Sequence, residues 1–569
     1  MKLRKVMAVM LAASMSLGLA ACGGSNAAPA ATTAAPAAAA PAESKAPETT
    51  AAPIEVREDA DSIEKAGAKV LSGIGGDADQ LAHVMEMPVS SSKDTLSMQV
   101  PSDPGSLDPY TTGGGQAAEA IFQNVCEGLF DYGYDYQMVP ELAESWEMSD
   151  DNLKCTFHLR QGVKYSDGTD FEPEDVLFAI KKCKDHPQKQ QYVKNIDIDN
   201  IKIVDDHTIE IPLTQPDAYF FSTLKSVKIS KEATYTEEGF AEKPIGTGPY
   251  VVEEFVGGSY ATLKANENYW GGAPAIKTIN VKVITDAAQR SIELETGGVD
   301  IVSELAENDY GRIAADDRFN AIIRPTFKSE SFYFNTTDAS IFKDKKARQA
   351  VAYAIDKAAI YAAVYQNQFG SIATAFPSSG MIDYNPDCEN SYYNFDLDKA
   401  KALLAEAGIQ PGTKISIINN GNKTASTNCE IVQAMLAQIG LEASITAYEK
   451  AVYNSVVDDA AGGWDMATVD FTAPSGYVAD MAFAYFAWEG INRSKLQNSE
   501  LNDLVHEATQ IVDDVERAET TDKIVKLIQE ELPGYTYHRQ AVQWAWNKQL
   551  KGFNVWGQNG IRFKYMYFE

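Results

Sequence analysis

The sequence is poor in the residues that build metal and disulfide sites. It contains six cysteines and six histidines among 569 residues. No two cysteines have CxxC spacing and no two histidines have HxH or HExxH spacing, so neither a zinc site nor a dense disulfide framework is predicted. We expect the cysteines after Cys22 to be buried free thiols. A single disulfide between Cys388 and Cys429 is the alternative in an oxidising compartment.

The motifs of common enzymes are also missing. There is no GxSxG elbow, and the SxxK match at residues 62–65 has no companion motifs and is interpreted as chance. Gly246 and Gly248 form a GxG without the rest of a dinucleotide fingerprint, which favours a tight backbone bend. Eighty acidic residues guarantee carboxylate pairs by chance, so they indicate no glycosidase dyad. We therefore expect no catalytic residue, no metal and no cofactor.

Positive charge is scarce. Lysine and arginine number 49 against 80 aspartates and glutamates, and the formal net charge is -31. Such a surface repels phosphate backbones, so a nucleic acid partner is not expected. The globular part, residues 94–569, exceeds the roughly 250–300 residues at which a single core stops growing, so two or more lobes are expected.

Long apolar runs are absent except at the N-terminus. That run follows Lys2, Arg4 and Lys5 and covers about residues 6–21, which is shorter than the roughly 20 apolar residues of a membrane-spanning helix. A basic start, an apolar middle and small residues before a cleavage site predict a secretory signal. The run ends in LAACGG, residues 19–24, which resembles the bacterial lipobox. The resemblance implies a signal peptide over residues 1–21 and lipid on Cys22; an ordinary signal peptide cut nearby is the alternative.

The segment after Cys22 has the composition of a tether. Residues 27–53 are almost all Ala, Pro, Thr, Ser and Glu. Such a stretch buries too little to offset the entropy of ordering, which predicts a flexible tether over residues 22–55. Residues 56–93 are expected to be a short helical and linker segment, with loosely helical spacing at 57–71. The folded domain would then cover residues 94–569 outside the cytoplasm, anchored to the membrane by lipid.

Several elements can be predicted within that domain. Residues 93–100 alternate as a strand, and residues 154–159 predict another. Apolar residues recur at helical spacing over 116–129. A helix should begin at 171–176, where Pro and acidic residues occupy the first turn, and another should end at Gly408.

Longer blocks occur in a distinctive order. They are PELAESWEMSDDNLKCTFHLRQGVKYSDGTDFEPEDVLFAI (140–180), PIGTGPY (244–250), ANENYW (265–270), FYFNT (332–336), ARQAVAYAID (347–356), FDLDKAKALLAEAG (395–408) and LKGF (550–553). In this order they resemble the family 5 extracellular solute-binding proteins, the peptide- and nickel-type receptors of ABC importers. The resemblance extends from residue 96 to residue 553.

The resemblance implies an α/β fold of the two-lobe periplasmic-binding-protein type (type II), with an extra subdomain in lobe I and a two-segment hinge. Lobe I would comprise about residues 94–323 and 535–569, and lobe II about residues 324–534. The two crossings are expected near 324–332 and 533–538. Ligand would be trapped between the lobes, since hinge closure about a ligand is a known switching mode.

The family pattern also suggests where ligand contacts lie. Peptide-binding members often hold the peptide amino group with an Asp beyond a strand that here begins at Trp464 and Asp465. This chain departs from the pattern: APSG at 473–476 replaces an Asp-Pro element, and no Arg for a peptide carboxylate occurs in 366–379. We expect contacts from six residues, each of which could instead be packed in the core or solvated: Tyr110, Asn335, Phe376, Asp470, Phe471 and Thr472.

Together these features predict a monomeric substrate-binding lipoprotein of an ABC importer. It would capture an oligopeptide or similar small solute and deliver it to a permease driven by ATPase subunits. A peptide-sensing receptor for signalling is an alternative with the same site, and a surface hydrolase is disfavoured by the missing motifs.

Overall fold

The computed structural model describes residues 87–569 apart from 112–114, 133–137, 188, 379, 390–391, 460–462, 473–474, 554 and 557–559. The expected signal peptide, Cys22, the tether, most of the segment 56–93 and the SxxK match therefore lie outside the described residues. No helix in the described ranges is long and apolar enough to cross a membrane.

The strands in the described part of the chain are β1 Thr95–Val100, β2 Phe130–Tyr132, β3 Met138–Pro140, β4 Ala143–Met148, β5 Lys154–Leu159, β6 Lys202–Asp205, β7 Thr208–Pro212, β8 Tyr250–Val256, β9 Tyr260–Ala265, β10 Thr278–Val283, β11 Ile301–Ser303, β12 Phe319–Phe334, β13 Ser371–Ile372, β14 Thr413–Asn419, β15 Leu441–Ala447, β16 Met466–Phe471, β17 Gly534–Asn547, β18 Leu550–Lys551, β19 Val555–Trp556, β20 Gly560–Ile561 and β21 Tyr567–Phe568.

The helices of the same ranges are α1 Gln116–Phe122, α2 Pro173–Asp185, α3 Phe220–Leu224, α4 Glu237–Glu242, α5 Ala287–Glu295, α6 Glu307–Ala314, α7 Lys345–Ala354, α8 Lys357–Tyr365, α9 Leu397–Glu406, α10 Lys423–Gln438, α11 Lys450–Asp458, α12 Val478–Phe486, α13 Ser499–Ala508 and α14 Asp514–Glu531.

One mixed sheet organises the molecule. Its order is β15-β14-β16-β12-β17-β11-β1-β10-β9-β8, with β13 also paired to β17. Strands β1 and β10 pair in parallel, as do β14 and β15, whereas β12 and β17 are antiparallel. A separate antiparallel sheet, β4-β5-β7-β6, has its own hydrophobic cluster around Phe130, Trp146 and Phe157. This second sheet forms the predicted subdomain.

The two longest strands, β12 and β17, run side by side through the middle of the sheet. The first part of β12 pairs with the end of β17, as far as Pro325 opposite Ala541. Regular pairing resumes at Ser329 opposite Arg539, so residues 326–328 lie opposite the single residue Gln540. Proline cannot donate to a ladder and is found at such bulges. A second register shift follows at once, between Glu330 opposite His538 and Ser331 opposite Thr536, where Tyr537 has no ladder partner in β12. The pairing of both strands is therefore irregular over this short stretch and regular beyond it on each side.

Several predicted elements are confirmed by local structure. Strand β5 has the predicted bounds because every second residue of KCTFHL is buried. Helix α2 begins at Pro173, where Glu172 and Asp175 form a capping box. Helix α9 ends just before Gly408. Many helices end with a residue in the left-handed conformation, which glycine adopts readily, and Gly408 has φ +73°.

The helix predicted over 116–129 is shorter than expected. Helix α1 ends at Phe122. The amide of Asn124 donates to Ala120 O at 3.0 Å and to Ile561 O at 2.8 Å, so this side chain caps the last turn and ties it to a distant segment.

Glycine and cysteine placements follow from packing. A Cβ on Gly246 would lie 1.9 Å from Val125 O, so this glycine permits one backbone to pass directly against another.

All five described cysteines are free, and four of them are buried. Cys388 and Cys429 are not joined in the structure.

Candidate functional site

A polar cluster lies where the pairing of β12 and β17 is interrupted. Glu330 of β12 is opposite Asp470 of β16 on one side and opposite His538 of β17 on the other. Residues directly opposite each other on neighbouring strands have side chains close together. The register of three strands that are far apart in the sequence therefore brings two acids and a histidine together.

Glu330 is buried and fully hydrogen-bonded. Its carboxylate accepts hydrogen bonds from the Tyr365 hydroxyl and, at 2.6 Å, from the Gln540 amide. His538 Nδ1 lies 3.4 Å from the same carboxylate. His538 Nε2 is 2.7 Å from Phe369 O, and because a carbonyl only accepts, that nitrogen carries the proton. The pair with Glu330 becomes an ion pair when Nδ1 is protonated as well.

The two acids of the cluster have opposite pKa shifts. Burial alone would raise the pKa of Glu330, but His538, Tyr365 and Gln540 together lower it, so Glu330 is held as a carboxylate. The surrounding protein and then the charge of Glu330 raise the pKa of Asp470 to about 6, although its side chain is exposed. The surrounding protein and Glu330 both disfavour a negative charge on Asp470. An incoming cationic group would therefore stabilise its ionised form.

Thr472 lies next to Asp470 at the end of β16. Its side chain is half-buried, and its N–H lies 3.3 Å from the Tyr485 hydroxyl. That hydroxyl in turn donates to Asp470 O at 3.2 Å. Asp470 and Thr472 are therefore the two predicted contacts whose side chains reach solvent.

The aromatic residues predicted as contacts lie deeper. Phe376 and Phe471 are buried, with ring centroids 6.1 Å apart, and both pack edge-on against Phe486. Phe471 also lies under Gly534, where an added Cβ would approach its ring to 3.0 Å. In this conformation the two rings stabilise the layer beneath Asp470, and their contact with ligand stays a prediction.

Tyr110 and Asn335 are enclosed by interior partners. The Tyr110 hydroxyl is 2.9 Å from Ser230 Oγ, and its ring lies edge-on to Phe178 in the subdomain cluster. The Asn335 amide donates to Trp464 O at 2.9 Å, which joins the end of β12 to the start of β16. Their role in binding also stays a prediction.

Metal-binding geometry is not found in this site. No group of three or more His, Cys, Asp or Glu side chains in the described ranges could hold a metal ion. The arrangement can bind and orient a solute through polar groups above an apolar layer.

Comparison with known proteins gives the family. The family model for bacterial extracellular solute-binding proteins, family 5 (middle region), matches residues 137–492. This chain belongs to that family. The predicted family and the periplasmic-binding-protein fold class are thereby confirmed, and as a family 5 member the chain is a solute-binding protein that acts outside the cytoplasm.

Individual family 5 relatives cover most of the chain. The dipeptide-binding protein of Escherichia coli strain K12 is 30% identical over 456 residues, which is 74% of this chain and 84% of the relative. Heme-binding protein A of Haemophilus influenzae is 29% identical over 482 residues, 78% of this chain and 87% of that protein. Among solved structures, HbpA2 from Haemophilus parasuis superposes with a TM-score of 0.73 at 27% identity, covering 84% of this chain and 100% of the other.

Sequence reasoning missed Glu330, His538 and Tyr365 as parts of this candidate site. Glu330 lies two residues before the block FYFNT, and His538 lies at the end of the predicted return crossing. Their proximity to the predicted hinge was a usable signal, but their pairing depends on a register that the sequence does not show.

Proposed function

We propose that this chain is the substrate-binding lipoprotein of an ABC importer. It captures an oligopeptide or a similar small solute between two lobes, formed by about residues 94–323 with 535–569 and by about residues 324–534. It then delivers the solute to a membrane permease driven by ATPase subunits. It works as a monomer held at the membrane by lipid on Cys22.

The observation that carries this proposal is the shared interruption in β12 and β17. A hinge concentrates backbone change in a few residues between rigid elements. The three residues 326–328 opposite Gln540 have no regular ladder partners, and a second register shift follows between Glu330 and Ser331. Beyond these two shifts the strands bond regularly on both sides. Rotation at this place would move β14, β15 and β16 relative to β11, β1 and β10.

Contacts across the proposed lobe boundary support a closed conformation. The rings of Tyr219 and Tyr477 lie 4.6 Å apart, one from each proposed lobe, and both are buried. The N–H of Ala218 donates to Thr509 O at 3.0 Å. Closure of this kind removes a bound solute from water, which strengthens its polar contacts.

The relatives support a peptide-sized solute. The curated relatives include proteins named for dipeptides, di- and tripeptides, glutathione and heme. Asp470 suits an amine of such a solute, since an exposed carboxylate beside Glu330 gains from a neighbouring positive charge.

The test is native mass spectrometry of protein purified without denaturation. A bound small solute at one per chain, released on unfolding and identified by fragmentation, is the expected result. Multiple turnover of added peptides or glycans by the purified protein would contradict the proposal. So would a chain that carries no solute and binds none from a peptide mixture.

A further inference from the structure

We propose that five residues on the first lobe, each with at least one donor that has no acceptor in the described ranges, form a second binding site, for a carboxylate of the captured solute. They are Gln123, Tyr132, Lys225, Lys228 and Arg562. The inference rests on the proposed solute-binding function and extends it, because Asp470 would hold a cationic group while this site holds an anionic one.

Hydrogen bonds between the Asn124 side chain and the backbone near Arg562 bring three of these residues together. Gln123 follows the last turn of α1, and the next residue, Asn124, accepts a hydrogen bond from Phe563 N at 3.0 Å. That bond and the bond from Asn124 to Ile561 O hold the intervening Arg562 beside the end of α1. Arg562 then forms an ion pair with Asp131, the neighbour of Tyr132.

The two lysines come from the segment after α3. A Cβ on Gly128 would lie 3.2 Å from Val227 O and 3.4 Å from Lys225 O, so the chain leading into β2 runs directly against this segment. The Lys225 ammonium lies 5.0 Å from the centroid of the Tyr132 ring. The α1 end, β2 and residues 225–228 thus share one small region.

The donors in this region lack acceptors. Gln123, Tyr132 and Arg562 are 8%, 6% and 6% exposed, and Gln123 Nε2, the Tyr132 hydroxyl and Arg562 Nη1 have no hydrogen-bond partner among the described residues. Within those same ranges, Lys225 and Lys228 form neither a hydrogen bond nor an ion pair. A buried donor without a partner destabilises the structure, because it has lost its hydrogen bonds to water. A ligand that supplies oxygen acceptors would remove that destabilisation.

Electrostatics favour an anion at Lys225. Burial, followed by the positive charge of Lys228, lowers the pKa of Lys225 to about 8. A negative group near these ammonium groups would restore the charged form and gain charge-assisted hydrogen bonds. Neither lysine has a protein carboxylate within ion-pair distance in the described ranges, so both ammonium groups are available to an anionic ligand.

The nearby acids do not occupy this role. Asp131 is engaged by Arg562. Glu141 accepts the Gly128 N–H at 3.0 Å, and burial raises its pKa. Burial also raises the pKa of Glu119, despite the opposing effect of four cations around it, the first of which is Lys225.

The segment that carries the two lysines lies close to the segment that follows β16. Tyr219, six residues before Lys225, contacts Tyr477, with ring centroids 4.6 Å apart. Tyr477 lies five residues beyond Thr472 on the second lobe. A solute between the lobes can therefore approach both the proposed carboxylate site and the end of β16.

The test uses two synthetic libraries of random tri- to pentapeptides, one with free C-terminal carboxyls and one with C-terminal amides. Equilibrium dialysis and mass spectrometry measure how much of each the protein retains. Wild type should retain the free acids about 10- to 150-fold better, the range for a charge-assisted hydrogen bond. Lys225→Met with Lys228→Met should abolish that preference, and Lys225→Arg with Lys228→Arg should keep most of it.

Lys182→Met is the matched control for the dialysis experiment. Like Lys225, Lys182 is half-buried and lies near an aromatic ring, 4.5 Å from the Tyr235 ring centroid, but it is outside the site.

A second experiment uses protein whose lysines carry ¹³C-labelled dimethyl groups, and follows their NMR signals. Acetate and glutarate are titrated into this protein, with chloride as the control anion. If the acids move the Lys225 and Lys228 signals but not the Lys182 signal, the carboxylate site is supported. This holds even if the protein retains neither library, because failure to retain peptides would contradict only the proposal that the solute is a peptide. Equal retention of both libraries with unmoved lysine signals would overturn the inference.

Discussion

The raised pKa of Asp470 leads to a quantitative prediction: the affinity for an amine-bearing solute should depend on pH. This pKa is raised to about 6, by desolvation from the surrounding protein first and then by the charge of Glu330, whereas the pKa of Glu330 is lowered. Glu330 therefore stays ionised while Asp470 titrates. If an amine is held by ionised Asp470, the apparent Kd should scale with the fraction of free protein that carries this charge. Between pH 7 and pH 5 that fraction falls roughly tenfold for a group of this pKa.

Two variants and two ligand forms isolate the effect. Asp470→Asn should weaken binding of an amine-bearing peptide by about 10- to 150-fold, because a charge-assisted hydrogen bond contributes about 1.5–3 kcal/mol. It should change binding of the N-acetylated peptide much less, and it should remove the tenfold pH effect. Glu442→Gln is the control, since Glu442 is an exposed acid on the same sheet, in β15.

The assay is calorimetric titration of both peptide forms at pH 5, 6 and 7. Equal losses for the amine and acetylated forms in Asp470→Asn would refute the assignment. A wild-type affinity for the amine form that does not change with pH would refute it as well. Asp480, whose side chain accepts a hydrogen bond from Ser475 at 2.5 Å, would then be the next acid to test.

Three further predictions concern stability and anchoring. Phe471→Ala should lower the free energy of unfolding by about 3–5 kcal/mol, since the ring is fully buried, and urea unfolding beside the exposed Val256→Ala control would measure this. Glu330→Gln should destabilise the protein at pH 7, and because the pKa of Glu330 is lowered from 4.5, the difference from wild type should shrink as the pH falls below that value; a constant difference from pH 7 to pH 3 would count against the ion pair. Cys22→Ser should release the protein from the membrane fraction or leave it unprocessed, whereas a processed variant that still needs detergent for extraction would contradict lipid anchoring.

Local signals explain which elements could be predicted. The bounds of β5 follow from alternation alone, and α2 begins where Pro173 and its flanking acids satisfy the first turn. The length of α1 could not be predicted, because Asn124 ends it by bonding to Ile561, 437 residues away. Local pattern decides an element only where no distant partner competes.

The site was less predictable than the fold for the same reason. Asp470 was identified from its place in a strand, but its partner Glu330 and the neighbouring His538 come from two other strands whose register is a tertiary property. Phe471 was predicted as a ligand contact because it falls where the family often places a cleft aromatic. In this conformation it packs against Tyr485 and Phe486 of α12, and its contact with ligand stays a prediction.

Closure of two lobes around a solute is the central claim, and small-angle scattering tests it most directly. The co-purified solute is removed by unfolding and refolding, and scattering is recorded before and after that solute is restored at saturation. The account predicts a smaller radius of gyration with solute than without it, because rotation at residues 326–328 and Gln540 buries surface from both lobes. An identical scattering profile in the two states at saturation would contradict it.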